Sequence, residues 1–137
     1  MTWSGAADQG YSSWRVVSVF HITSTEEAGD AVRVGIYAPG AFEADGFIHC
    51  SYPQQVCDVA NRLFCGRVDL VLLEIDRTKV TCEVVDENLE GGAQLFPHIY
   101  GRLPVGAVVK IHRFPCGDDG RFELPETVRN PSTPGAA

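Results

Sequence analysis

A chain of 137 residues has room for one domain that can bury a core without metal or disulfide staples. With 45% hydrophobic and 21% charged residues it is not a wholly disordered chain, a coiled coil or a collagen, and no apolar run reaches the roughly 20 residues that cross a bilayer. Lys and Arg number 11 against 18 Asp and Glu, a net charge of −7, which argues against a nucleic-acid partner because such binding draws on phosphate neutralisation.

In chain order, residues 1–13 are small and polar and read as a tail, with no basic cluster and apolar core of a secretory signal; the expected location is the cytoplasm. Residues 14–22 form a β-branched and aromatic run, a buried strand. Ser24, with Glu27 three residues on, is a capping box that opens a helix through about Val32. Gly35, Pro39 and Gly40 break the chain and leave one turn at 41–44. Residues 46–51 are a second short strand. Pro53 then opens a helix over about 53–65, in which Val56, Val59, Ala60, Leu63 and Phe64 repeat at helical spacing before Gly66.

The almost continuously apolar residues 69–75 suit a central strand, and Asp76-Arg77 turns the chain toward another at 80–85. The acidic, glycine-containing 87–94 stretch reads as a loop. In Leu95-Phe96-Pro97-His98-Ile99-Tyr100-Gly101 the proline points to an edge, a strand start or a bulge. Residues 107–114 alternate, with Ala107, Val109 and Ile111 on one face and Val108, Lys110 and a solvated His112 on the other. Residues 127–137, rich in Pro, Ser and Thr, read as a second tail, so the domain spans 14–126. Early helices followed by mostly strands indicate the α+β class.

Cys50, Cys57, Cys65, Cys82 and Cys116 contain no CxxC pair and read as buried, reduced thiols. His49 and Cys50, adjacent on a strand, point to opposite faces, and no metal is expected.

Chemistry concentrates in three histidines. His21, His49 and His98 each sit among apolar strand residues and are followed two positions on by Thr23, Ser51 and Tyr100. Residues i and i+2 share a strand face, so each imidazole is paired with a hydroxyl. Three such pairs around one cleft would suit a ligand bearing hydroxyls or phosphates, with imidazole as anchor, base or acid. A buried imidazole that merely satisfies the core is the alternative for each, and Ser51 could instead cap the following helix. Glu74 is a strand-end carboxylate, catalytic or solvent-reaching. Arg62 lies off the apolar face of its helix, solvated or clamping an anion. Glu43 and Asp45 read as loop surface.

The segments Phe20-His21-Ile22-Thr23, 42–51 around Ile48-His49-Cys50-Ser51, 59–64, 69–76 and 95–101, with the ending 119–125, closely resemble in order the family catalogued as domain of unknown function 952. That family is similar in fold to the ADP-ribosyltransferase superfamily. The resemblance implies two small bent β-sheets with short helices around an NAD-binding cleft. It also implies that His21 contacts a ribose, that His49-Cys50-Ser51 shapes the nicotinamide pocket, and that Tyr100 borders it. Where members often carry a glutamate before Leu-Phe-Pro-His, this chain has Gln94. A histidine-rich site without it looks closer to the RNA 2′-phosphotransferase branch, although the acidic charge opposes an RNA substrate. Three readings follow. One is an ADP-ribosyltransferase-like enzyme using NAD, with His49 or His98 assisting attack. Another is a small-molecule isomerase, cyclase or hydrolase using the same histidines without NAD. The third is a non-catalytic module for a nucleotide-like metabolite.

Overall fold

The computed structural model describes residues 18–89 and 91–129, so the tail expected at 1–13 and the first part of the strand expected at 14–22 lie outside the described residues. Strand β1 (Ser18–Ser24) runs into helix α1 (Thr25–Val34). The Ser24 hydroxyl caps that helix by accepting from the Glu27 N–H at 3.0 Å. Only half of the capping box forms, because the Glu27 carboxylate accepts instead from Thr23 Oγ1 at 2.8 Å and Gly40 N at 3.2 Å. Gly35, at φ 95°, ends the helix in the left-handed conformation that glycine adopts without a Cβ clash.

β2 (Ile36–Tyr37), the turn α2 (Phe42–Asp45) and β3 (Ile48–His49) follow. A 3₁₀ turn at Pro53–Gln55 leads into α3 (Val56–Leu63), which turns Val56, Val59 and Ala60 inward. Leu63, expected on that face, is exposed, because the helix ends there. Ser51 does not cap this helix; the Gln55 side chain reaches back instead and accepts from Tyr52 N at 2.9 Å.

β4 (Leu70–Asp76) is the middle strand of an antiparallel sheet ordered β1, β4, β8, where β8 is Val108–Arg113. Its nearly continuous apolar run is explained by burial on both faces. Val71, Leu73 and Ile75 join one core with Val19, Ile48 and Ile99, while Leu70 and Leu72 join another with Phe20, Phe114 and Phe122. A second antiparallel sheet is ordered β3, β6, β5, from β5 (Glu83–Glu87) and β6 (Phe96–Tyr100). β7 (Leu103–Pro104) makes a small ribbon with β2. Reciprocal bonds between Phe20 and Ser51, at 2.8 and 2.7 Å, tie the first sheet to the second. The α+β class therefore holds, with a two-stranded ribbon added to the two sheets.

Three expectations are corrected. β6 is a middle strand despite Pro97. The Pro97 carbonyl accepts from Cys50 N at 2.9 Å on the β3 side, so the missing N–H faces away from β5 and no bond to β5 is lost. In β8 the face assignment inverts: His112 and Phe114 are buried while Val109 and Ile111 are exposed. A register shift leaves Val109 as an extra residue between the pairs Glu74–Lys110 and Ile75–Val108. The third correction explains what covers His112. Rather than starting a tail at 127, the chain makes a helical turn α4 (Glu126–Arg129), which buries Val128 and sets Thr127 against the His112 ring.

Candidate functional site

The Phe20–Ser51 junction brings β1 alongside β3, and the histidines meet there. His21 Nδ1 lies 2.7 Å from the His49 carbonyl and its Nε2 lies 2.7 Å from the Tyr37 hydroxyl. A carbonyl only accepts, so Nδ1 donates; a neutral ring then accepts at Nε2 from Tyr37. Burial is the main cause that lowers the His21 pKa from 6.5 to about 4, and the nearby His49 adds to it. Burial likewise pushes the Tyr37 phenol above its ordinary range. His21 is therefore neutral at pH 7 with both nitrogens engaged.

His49 and His98 are cross-strand partners in β3 and β6, with His49 Nδ1 at 3.1 Å from His98 Nε2. His98 Nδ1 is 2.9 Å from Glu87 Oε2, which also accepts from the Tyr100 hydroxyl. These bonds, Tyr100 first, hold the Glu87 carboxyl below its ordinary pKa. An ionised carboxylate only accepts, so His98 carries its proton on Nδ1. A His98 ring with its single proton on Nδ1 accepts at Nε2, so His49 donates from Nδ1 and its other nitrogen, Nε2, is the one left to take up a proton. Phe47 stacks on His98 with centroids 4.1 Å apart and planes 15° apart, and Phe96 packs against His49 at 5.1 Å.

Two adjoining hollows of about 360 and 320 Å³ share His21, Ile22, Asp45, Phe47, His49 and Phe64. One extends toward Thr23, Glu27 and Tyr37; the other reaches Ser51, Leu63 and Arg62. Their walls combine aromatic rings, imidazoles, hydroxyls and the carboxylates of Asp45 and Glu27. That mixture fits a ligand with a flat apolar part and several hydroxyls.

All three histidines come together, but not in equal positions. His21 and His49 line the cleft with Thr23, Ser51 and Arg62. His98, only 2% exposed, stands behind His49 and is not among the residues of either hollow. Tyr100 is also absent from the cleft wall and bonds to Glu87 on the edge strand β5. Glu74 neither reaches solvent nor opens onto the strand end. It is buried, with Oε1 2.7 Å from His112 Nε2, and His112 Nδ1 is 2.7 Å from Thr127 Oγ1. Of the cysteines only Cys50 is buried, pointing into the core beneath His49; Cys65 is exposed and the others are half-buried.

Several residues of the site were not anticipated. In sequence Glu87 reads as the start of a loop, yet β5 and β6 form a hairpin around Gly91-Gly92 in which Val85 faces His98 and Glu87 falls diagonal to it. The near-symmetric placement of two apolar runs about that glycine pair was the available signal. Asp45, taken as loop surface, lines both hollows, and Phe47 stacks on the relay.

No curated protein matches this chain. Two solved structures of protein CC0527 from Caulobacter crescentus resemble it. The crystal structure has 29% identity and a TM-score of 0.74, covering 82% of this chain and 98% of that one. The solution NMR structure has 31% identity and a TM-score of 0.70, covering 80% and 95%. The family profile described as "protein of unknown function (DUF952)" matches residues 22–111, which take in the whole Glu87–His98–His49 chain and most of the cleft, and the protein belongs to that family.

Proposed function

We propose that this protein is a small enzyme that binds NAD, or a related nucleotide-like ligand, in the histidine-lined cleft and transfers its ADP-ribosyl group with His49 as general base. The observation that carries this reading is the bonded series Glu87–His98–His49 ending at the cleft wall. In the reaction an acceptor hydroxyl or water attacks C1′ of the nicotinamide ribose. The C1′–N bond breaks and nicotinamide leaves with the electron pair. The acceptor's proton passes to His49 Nε2, the Nδ1 proton moves to His98, and the ionised Glu87 stabilises the resulting cation. His21 is the positioning residue: its bond to the His49 carbonyl fixes the strand that carries the base. The likeness in fold to ADP-ribosyltransferases, inferred from the sequence motifs, supports NAD as the first ligand to try.

A second reading, acid–base chemistry on another small molecule, is favoured by one observation. Gln94, which stands where a glutamate is usual, is bonded to Gln55 and lies outside both hollows. Thermal melting with millimolar NAD, combined with an assay for released nicotinamide, separates the two. The first reading expects a raised Tm, because a ligand of the native state stabilises it, and slow nicotinamide release. It also expects His49→Gln to keep the Tm shift and lose about 10²-fold or more in turnover. An unchanged Tm overturns NAD binding in favour of the second reading; a raised Tm without turnover overturns catalysis and leaves a binding module.

A further inference from the structure

Val59 and Arg62 form a shared wall between the histidine cleft and a larger hollow of about 660 Å³. Arg62 reaches this hollow from α3 and Arg121 from the segment between β8 and α4. Among the described residues neither arginine forms an ion pair, in a chain with 18 carboxylates for 11 cations. Asp58, one turn before Arg62, also lines the hollow and pairs with neither arginine.

Gln94 adds a hydrogen-bond donor to this wall. The Tyr52 N–H can only donate, and it does so to Gln55 Oε1 at 2.9 Å. Gln55 Nε2 is then the donor to Leu95 O at 2.9 Å and to Gln94 Oε1 at 3.0 Å. This order fixes the orientation of Gln94 and leaves its NH₂ group as a donor at the hollow. The Arg121 backbone is clamped by bonds on either side. Asn61 holds Phe122 N at 2.7 Å and Phe122 O at 3.4 Å, and the Arg121 carbonyl accepts from Gly117 N at 2.8 Å. Two guanidiniums with no carboxylate partner and an oriented amide thus face one space.

We infer that this hollow seats the pyrophosphate group of the ligand whose remaining part enters the histidine cleft. The inference rests on the nucleotide-like reading of the cleft. Guanidinium groups fork onto paired phosphoryl oxygens, and two of them match the charge of a diphosphate. Asp58 opposes an anion in this hollow, so occupancy needs both guanidiniums engaged at once, which a diphosphate can do and a single carboxylate does less well.

The test uses inorganic pyrophosphate and ADP-ribose, titrated calorimetrically into the full chain at fixed ionic strength. Both arginines are exposed, so Arg62→Gln, Arg121→Gln and their combination leave the fold intact, which the unliganded Tm checks. Pyrophosphate is expected to bind the wild type and to weaken about tenfold in each single variant. The double variant loses measurable binding, and His49→Gln leaves pyrophosphate affinity unchanged. No binding of pyrophosphate at about 10 mM, or equal binding by the double variant, overturns the inference. ADP-ribose separates the two sites. If pyrophosphate depends on the arginines while ADP-ribose binds no more tightly than pyrophosphate, the hollow stands and the cleft reading fails. If ADP-ribose binds with equal affinity to the wild type and the double variant, the cleft stands and the hollow fails.

Discussion

His21 donates from Nδ1 to the main-chain carbonyl of His49 at 2.7 Å, so one histidine holds the strand on which another faces the cleft, 28 residues later. The same ring accepts from Tyr37, and its pKa is lowered from 6.5 to about 4. The division of labour is between a neutral, fully bonded His21 and a His49 whose proton position is set from behind by His98.

That depression has a consequence for stability. The unfolded chain binds a proton at His21 below pH 6.5, and the folded chain does so only near 4, so in that window the unfolded state holds more protons. The His21 contribution is complete above pH 6.5 and is lost as pH falls toward 4, by on the order of 3 kcal/mol. Urea unfolding at the two ends of the window measures it. His21→Gln should flatten the slope relative to wild type, and an unchanged slope would remove His21 as its cause.

Glu87→Gln replaces an obligate acceptor with an amide that can donate to His98 Nδ1. An amide can donate or accept, so the His98 proton is no longer held on Nδ1, the share of His49 with a basic Nε2 falls, and the charge that stabilises the His98 cation is gone. Turnover should drop about 10²–10⁴-fold with ligand affinity little changed. Tyr100→Phe removes one bond that keeps the Glu87 carboxyl low and should raise the acidic limb of the pH–rate profile while retaining most activity.

A methyl group at Gly101 would stand 2.7 Å from Cys82 Sγ and 2.8 Å from its Cβ. Gly101→Ala should therefore cost about 1–3 kcal/mol by overpacking. Adding Cys82→Gly, which deletes both crowded atoms, should recover much of that loss in a double-mutant cycle.

The buried Glu74–His112–Thr127 series pins the C-terminal turn over the first sheet. Glu74→Ala strands the His112 ring and should cost about 1–3 kcal/mol in chemical denaturation. Thr127→Val removes only the outer bond, and the smaller loss it predicts separates the two contributions.

Where burial and pattern are local, the sequence is legible. The almost continuously apolar 69–75 run marks the doubly buried β4, Ser24 and Gly35 bound α1, and the hydroxyl spacing places Thr23 and Ser51 beside their histidines on the cleft wall. Contacts with distant segments are not legible. His112 reads as solvated because nothing in its own strand announces that Thr127 and Val128 cover it, or that a bulge at Val109 breaks the alternation. Glu87 reads as loop because only the β5–β6 register shows that it underlies His98. The same register moves His98 and Tyr100 off the cleft wall, since their strand pairs with β3 on the side away from β1.

The proton positions on His49 and His98 test the account most directly. Long-range ¹H–¹⁵N spectra of the imidazole nitrogens at about pH 8, where neutral rings dominate, report the tautomer of each ring. Assignment comes from the single His→Gln variants. Nδ1–H is expected on both His49 and His98, with Nε2 of each unprotonated, and a mixture of tautomers is expected in Glu87→Gln. A wild-type His49 found with its proton on Nε2, or a His98 bare at Nδ1, would contradict it.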